Sequence, residues 1–129
     1  MNEDLAKRAV ACRHWRWMPG MRAVGRRRMP AAWFRVEEYT HMVGEWRDAV
    51  PDLTDAATVG CLLALVREAC KDPTIGAVQA GDHQTTVAGL TIPSRSHWLV
   101  MRAGAVGLDV HKHGDTEAEA LVAALEAAP

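Results

Sequence analysis

Between residues 55 and 70 the apolar positions recur at helical spacing. Val59, Leu62, Leu63, Val66 and Cys70 fall at i, i+3, i+4, i+7 and i+11, a single stripe that predicts a central amphipathic helix. Thr54 or Asp55 can cap its start. Lys71-Asp72-Pro73 ends it, because the residue before a proline avoids helical backbone. Gly60 inside the helix costs about 1 kcal/mol against alanine, which points to a close packing contact there.

A closing helix is predicted over about 116–127. Thr116 with Glu119 three residues later forms a capping box, and Ala118, Leu121, Val122, Leu125 and Ala128 make its apolar face. The alanine-rich end from Leu125 onward is expected to fray. An N-terminal helix over 3–13 is read from Leu5, Ala9 and Cys12, with Lys7, Arg8 and Arg13 facing elsewhere. Trp15 to Gly20 breaks it, with Pro19-Gly20 as turn punctuation.

Period-two patterns fill the rest. Met21, Ala23 and Gly25 alternate with Arg22, Val24, Arg26 and Arg28 over 21–28, and Phe34 and Val36 alternate with Trp33, Arg35, Glu37 and Tyr39 over 32–39, giving a hairpin turned at Met29-Pro30-Ala31. Residues 43–50 are read as a third short strand ending at Pro51. Further strands are expected at 74–79, 85–92, 97–102 and 105–111, with Ala103-Gly104 linking the last two. Helices interspersed with hairpins predict an α+β fold, a small antiparallel sheet with N-terminal, central and C-terminal helices, in one domain over 1–129.

Two segments resemble a known family. They are the run from Pro51 to Ala69 and the run Gly114-Asp115-Thr116-Glu117-Ala118-Glu119-Ala120-Leu121-Val122-Ala123-Ala124-Leu125. Together they are similar to small phage and prophage accessory proteins of the ABA-sandwich kind. In that family a helix precedes a small antiparallel sheet, and a closing helix follows a Thr-x-x-Glu-Ala-type start. The resemblance covers about the last 75 residues and leaves out the first 50. It implies a mobile-element origin and carries over no functional residues.

Composition changes the picture in one respect. The formal charge is −1, with 49% hydrophobic residues. Residues 1–47 hold ten Lys/Arg against five Asp/Glu, a net of +5, whereas residues 48–129 hold five against eleven, a net of −6. Four of the five tryptophans, Trp15, Trp17, Trp33 and Trp46, lie in the basic part. Such a division fits either an acidic or nucleic-acid partner or complementarity between two parts of one fold.

The candidate partner-binding surface is accordingly the basic aromatic segment: Trp15, Arg16, Trp17, Arg22, Arg26, Arg27, Arg28, Trp33 and Arg35. Strand alternation puts Arg22, Arg26 and Arg28 on one face, with Trp33 and Arg35 on the same outward side. Arginine is suited to phosphates and carboxylates, and an adjacent indole offers a stacking surface. The competing reading is a solvated sheet face neutralised by Glu37 and Glu38, with Trp15 and Trp17 as core or lid aromatics.

Catalytic chemistry has no recognisable motif. Ser94-Arg95-Ser96-His97 supplies hydroxyls and an imidazole, but sequence adjacency is not a triad. Gly104-Ala105-Val106-Gly107 lacks the phosphate-loop pattern. His111 and His113 share one side of a predicted strand, and a metal would need a third ligand such as His83 or His97. Cys12, Cys61 and Cys70 fit no zinc spacing. Cys61 and Cys70 fall on opposite sides of their helix at about 100° per residue, so three reduced thiols are expected.

The longest apolar run, Val59 to Val66, is far shorter than the roughly 20 residues a membrane span needs. The acidic N-terminus does not read as a secretory leader. These features predict a cytoplasmic, non-catalytic protein without cofactor. Its expected partner is a host protein or protein–nucleic-acid complex, in one form a host defence complex that it inhibits. Direct nucleic-acid binding is the first alternative, and a small enzyme or metal-binding protein the second. A monomer and a homodimer both fit.

Overall fold

A computed structural model describes residues 2–25, 32–37, 46–80, 84–87, 90–93, 97–104 and 107–129. Helix α1 spans Glu3–Ala11. Strands β1 (Arg22–Val24), β2 (Trp33–Arg35) and β3 (Val50–Pro51) follow, then helix α2 (Ala56–Ala69). Strands β4 (Gly76–Ala80), β5 (Gln84–Val87), β6 (Leu90–Pro93), β7 (His97–Gly104) and β8 (Gly107–Gly114) precede helix α3 (Glu117–Ala127). The fold is α+β, with three antiparallel sheets in the orders β2-β1-β3, β4-β7-β8 and β5-β6.

The hairpin register follows the predicted alternation. Arg22 pairs with Arg35, Ala23 with Phe34 and Val24 with Trp33. Met21, Ala23 and Val36 are buried on one face, while Trp33 stands out on the other. The strands are shorter than the pattern suggested, and the turn at 29–31 lies outside the described residues. So do residues 43–45, and the third strand is the two-residue β3, which pairs Val50 with Val24 and Pro51 with Ala23. A proline is tolerated there because β3 is an edge strand.

Two strand expectations are corrected. The stretch 85–92 is not one strand but the β5–β6 hairpin, which pairs Val87 with Leu90. Residues 88 and 89, between the two strands in sequence, lie outside the described residues. Ala103 and Gly104 lie within β7, opposite Leu108 and Gly107, rather than between strands.

Each helix is closed by named groups. Asn2 Oδ1 accepts from Leu5 N at 3.1 Å at the head of α1, which ends at Ala11, two residues early. Asp55, not Thr54, caps α2. Lys71 follows α2 in the left-handed region at φ 53°, and Asp72 N reaches back to Arg67 O at 2.9 Å, a Schellman-type stop. Thr116 caps α3, and Glu119 returns a bond to the Asp115 N–H at 2.9 Å.

Helix α3 is the centre of the core. It packs against α1, α2, β4, β7 and β8. Ala118, Ala120, Leu121, Val122, Ala124 and Leu125 are all buried, so the helix is apolar nearly all round, as enclosure requires. Its end is packed: Ala128 is buried, and its carbonyl accepts from Arg13 Nη2 at 3.2 Å. Alanine here is a small spacer between packed layers rather than a weak tail.

On α2 the buried stripe is Thr58, Leu62, Leu65 and Val66, with Val59, Leu63 and Cys70 only half-buried. A polar residue occupies the core side because its hydroxyl is fully satisfied there. The stripe leaves Gly60 outward, and a Cβ built on it meets nothing within 4 Å. The expected packing contact is therefore absent at Gly60. It exists instead at Gly114, where a Cβ would come within 2.6 Å of Ala120 N.

These two glycines predict opposite outcomes. Gly60→Ala should stabilise the protein by about 0.5–1 kcal/mol through helix propensity alone. Gly114→Ala should destabilise it by about 1–3 kcal/mol, because backbone must move. Urea denaturation of both variants checks the pair.

Candidate functional site

Strand β1 brings Arg22, and β2 brings Trp33 and Arg35, to one face of the hairpin. The turn from β3 into α2 brings two carboxylates against that face. Arg35 donates to Asp55 Oδ2 at 2.6 Å and to Oδ1 at 3.2 Å, a two-pronged guanidinium–carboxylate pair. Its Nη1 also donates to Gly20 O at 2.8 Å. Gly20 takes φ +97°, a conformation that suits glycine at this turn. Arg22 reaches Asp52 at 3.3 Å and lies 3.6 Å from Asp55.

Asp55 has a second task. Its Oδ2 accepts from Thr58 N at 3.0 Å and from Thr58 Oγ1 at 2.7 Å, and so starts α2. Thr58 Oγ1 in turn accepts from Arg22 N at 2.8 Å. Sheet and helix are thus joined through one carboxylate and one hydroxyl.

The charges are tuned accordingly. The Arg35 hydrogen bonds hold the Asp55 carboxyl far below its ordinary range; burial opposes this, and the Thr58 bonds add to it. Burial pushes Asp52 upward, but hydrogen bonds from Thr54 and Arg22 more than reverse it. The bond to Asp55 raises the Arg35 guanidinium further. A carboxylate so depressed is a weak base near neutrality, and arginine does not release its proton. The network is suited to holding shape rather than moving protons.

Above it lies Trp33, 58% exposed. The Arg22 guanidinium carbon sits 4.5 Å from the indole centroid, a cation–π contact. The Arg22 Nε is buried and makes no hydrogen bond. This guanidinium therefore faces acid on one side and indole on the other.

The other predicted site residues are distributed differently. Trp15 and Trp17 are half-buried against the core and meet edge to face at 5.4 Å. Arg16 pairs with Glu68 of α2. Arg26, Arg27 and Arg28 lie outside the described residues, in the segment 26–31 that joins β1 to β2. Glu37 lies beyond β2 and is exposed; Glu38 is outside the described residues. Arg8 adds a pair with Glu126 of α3 at 2.7 Å. These pairs all run from the basic part to the acidic part, so among the described residues the charge division closes largely within the fold.

The acids that organise the site, Asp52 and Asp55, were not among the predicted site residues. Their signal was the helix cap itself: a capping carboxylate in a chain with an arginine-rich hairpin has two cationic attractions.

The remaining chemistry is sparse. Cys12, Cys61 and Cys70 are free thiols, and burial pushes Cys61 and Cys70 upward, away from reactivity. The β7–β8 register shifts between Val100 and Met101, opposite Lys112 and Val110, which leaves His111 as an extra residue. The period-two argument for His111 and His113 does not carry across that bulge. Among the described residues no group of three or more His, Cys, Asp or Glu is placed to hold a metal. No helix among them is long and apolar enough to cross a membrane.

The double role of Asp55 generates a prediction. Asp55→Ala should lose at least the about 1–2 kcal/mol of an N-cap. Asp55→Asn keeps a capping oxygen and removes the charge. Because the folded carboxyl is held low, its stabilisation is present above the ordinary carboxylate range and is lost as pH falls through and below it. The stability gap between wild type and Asp55→Asn should therefore be widest near neutrality and close progressively below about pH 4. A gap in urea midpoint that stays constant from pH 7 to the lowest pH at which the protein folds would show that the charge is not the source.

No family model, curated protein or solved structure matches this chain.

Proposed function

We propose that this chain is a non-catalytic accessory protein of phage or mobile-element origin that binds a macromolecular partner through the Trp33 side of its N-terminal hairpin. The observation that carries this reading is Trp33 itself. A large indole, 58% exposed, is held in place by the guanidinium of Arg22 rather than folded into the core. Aromatic side chains of this kind serve as anchors in interfaces. Ordinarily such a surface would be buried.

The predicted surface is narrowed by its internal pairings. Arg16, Arg22 and Arg35 are engaged by Glu68, Asp52 and Asp55, and Trp15 and Trp17 lie against the core. Of the described residues, Trp33 remains exposed; Arg26, Arg27 and Arg28, which lie between β1 and β2 in the sequence, complete the proposed contact set. Three arginines in succession favour an acidic partner: a host protein or protein–nucleic-acid complex, with inhibition of a host defence complex as the specific form. The mobile-element setting rests on the resemblance of the segments 51–69 and 114–125.

A second reading, direct nucleic-acid binding, is favoured by an exposed indole in a hairpin whose sequence also carries Arg26, Arg27 and Arg28, since stacking surfaces and positive charge are what single strands bind. The overall charge of −1 disfavours strong non-specific binding.

Both readings are tested by capture from host lysate with wild type, Trp33→Ala and the double variant Arg26→Glu/Arg28→Glu, with and without nuclease. Trp33→Ala should weaken capture about tenfold or more, as for an aromatic anchor, and the charge reversal should abolish it. Unchanged capture by both variants rejects this surface. Capture that nuclease removes, together with a gel shift that fades steeply with salt, selects the nucleic-acid reading.

A further inference from the structure

The two edges of the β4-β7-β8 sheet are built differently. The β8 edge carries Asp109, Lys112 and His113 in its sequence, with Lys112 and His113 exposed, and it is bulged at His111. Charges and bulges are the usual means of keeping an edge strand from pairing with another chain. The β4 edge has neither. Its five residues, Gly76-Ala77-Val78-Gln79-Ala80, contain no charge and no proline, and they pair with β7 without a register shift. Val78 is 45% exposed, and with Trp33 it is one of the two large apolar side chains exposed among the described residues. A Cβ at Gly76 would meet nothing within 4 Å, so the start of the strand is uncrowded. Strands β5 and β6 pair with each other, and among the described residues no strand takes the outer side of β4.

We propose that the outer edge of β4 pairs antiparallel with β4 of a second copy, making a continuous six-stranded sheet across a two-fold axis at Val78. The strand is self-complementary in this arrangement. Val78 stands opposite the second copy's Val78, Ala77 opposite Gln79, and Gly76 opposite Ala80. No charge meets a like charge, and the axis falls on the exposed β-branched residue, the type favoured in cross-strand pairs. Twofold pairing of one patch with itself is the commonest form of assembly. An edge strand is satisfied by backbone hydrogen bonds, so no shaped pocket is needed.

Size sets the strength. Two five-residue strands side by side run about 17 Å and cover less than the roughly 1,200 Å² of a standard stable interface. The association is therefore weak and reversible, with a dimer that forms as concentration rises. Strand β4 and Trp33 belong to different sheets.

Sedimentation equilibrium over rising concentration tests the proposal. Wild type should pass from monomer toward twice that mass. Val78→Lys and Val78→Glu should each stay monomeric, because the two-fold axis sets like charges face to face. Val78→Thr, which keeps a β-branched side chain, should dimerise as wild type does. An equimolar mixture of Val78→Lys and Val78→Glu should regain the dimer, since opposite charges then meet across the axis. Circular dichroism checks that each variant is folded. Wild type that remains monomeric up to about 1 mM, a Val78→Lys variant that dimerises as well as wild type, or a mixture that stays monomeric would each overturn it.

Discussion

One carboxylate joins the two parts of this protein. Asp55 starts helix α2 through Thr58, binds Arg35 with both oxygens and lies beside Arg22. The N-terminal sheet is three strands of 3, 3 and 2 residues, well below the usual strand length. Its apolar side, Met21, Ala23 and Val36, enters the common core, and its polar side is fastened by Asp52 and Asp55. That fastening sets the hairpin against the start of α2, and Trp33 stands on the same side.

This constraint also accounts for the charge division along the chain. A net +5 in the first 47 residues and −6 in the rest resembles a binding signature. In three dimensions much of it is internal: Arg8 to Glu126, Arg16 to Glu68, Arg22 to Asp52 and Arg35 to Asp55. Exposed pairs of this kind contribute little each. The partly buried Asp55 pair differs because it shares its carboxylate with a helix cap. Charge complementarity within the fold thus sets which basic and aromatic groups are left for a partner.

The sequence made the helices and the hairpin register legible for clear reasons. Apolar spacing and caps at Asp55 and Thr116 specify α2 and α3, and period-two alternation specifies which hairpin residues share a face. It did not reveal what lies across from each face. Thr58 was hidden because a hydroxyl reads as surface until its partners are known, and Gly60 was misjudged because propensity says nothing of which side is covered. The alanines after Leu125 looked weak, yet small side chains are what let α3 sit between two helices and the β4-β7-β8 sheet. The Asp52–Asp55 cluster was missed because its pairs join residues 20 or more apart in sequence. Sequence spacing carries no information about such an encounter.

The claim that the hairpin is fastened to α2 through charge is tested most directly by a double-mutant cycle on Arg35→Gln and Asp55→Asn, read by urea unfolding at neutral pH. The account predicts strong non-additivity: once Asp55 has lost its charge, removing the Arg35 guanidinium should cost little more. Losses that simply add would contradict it, and would mean that the two groups stabilise the fold independently.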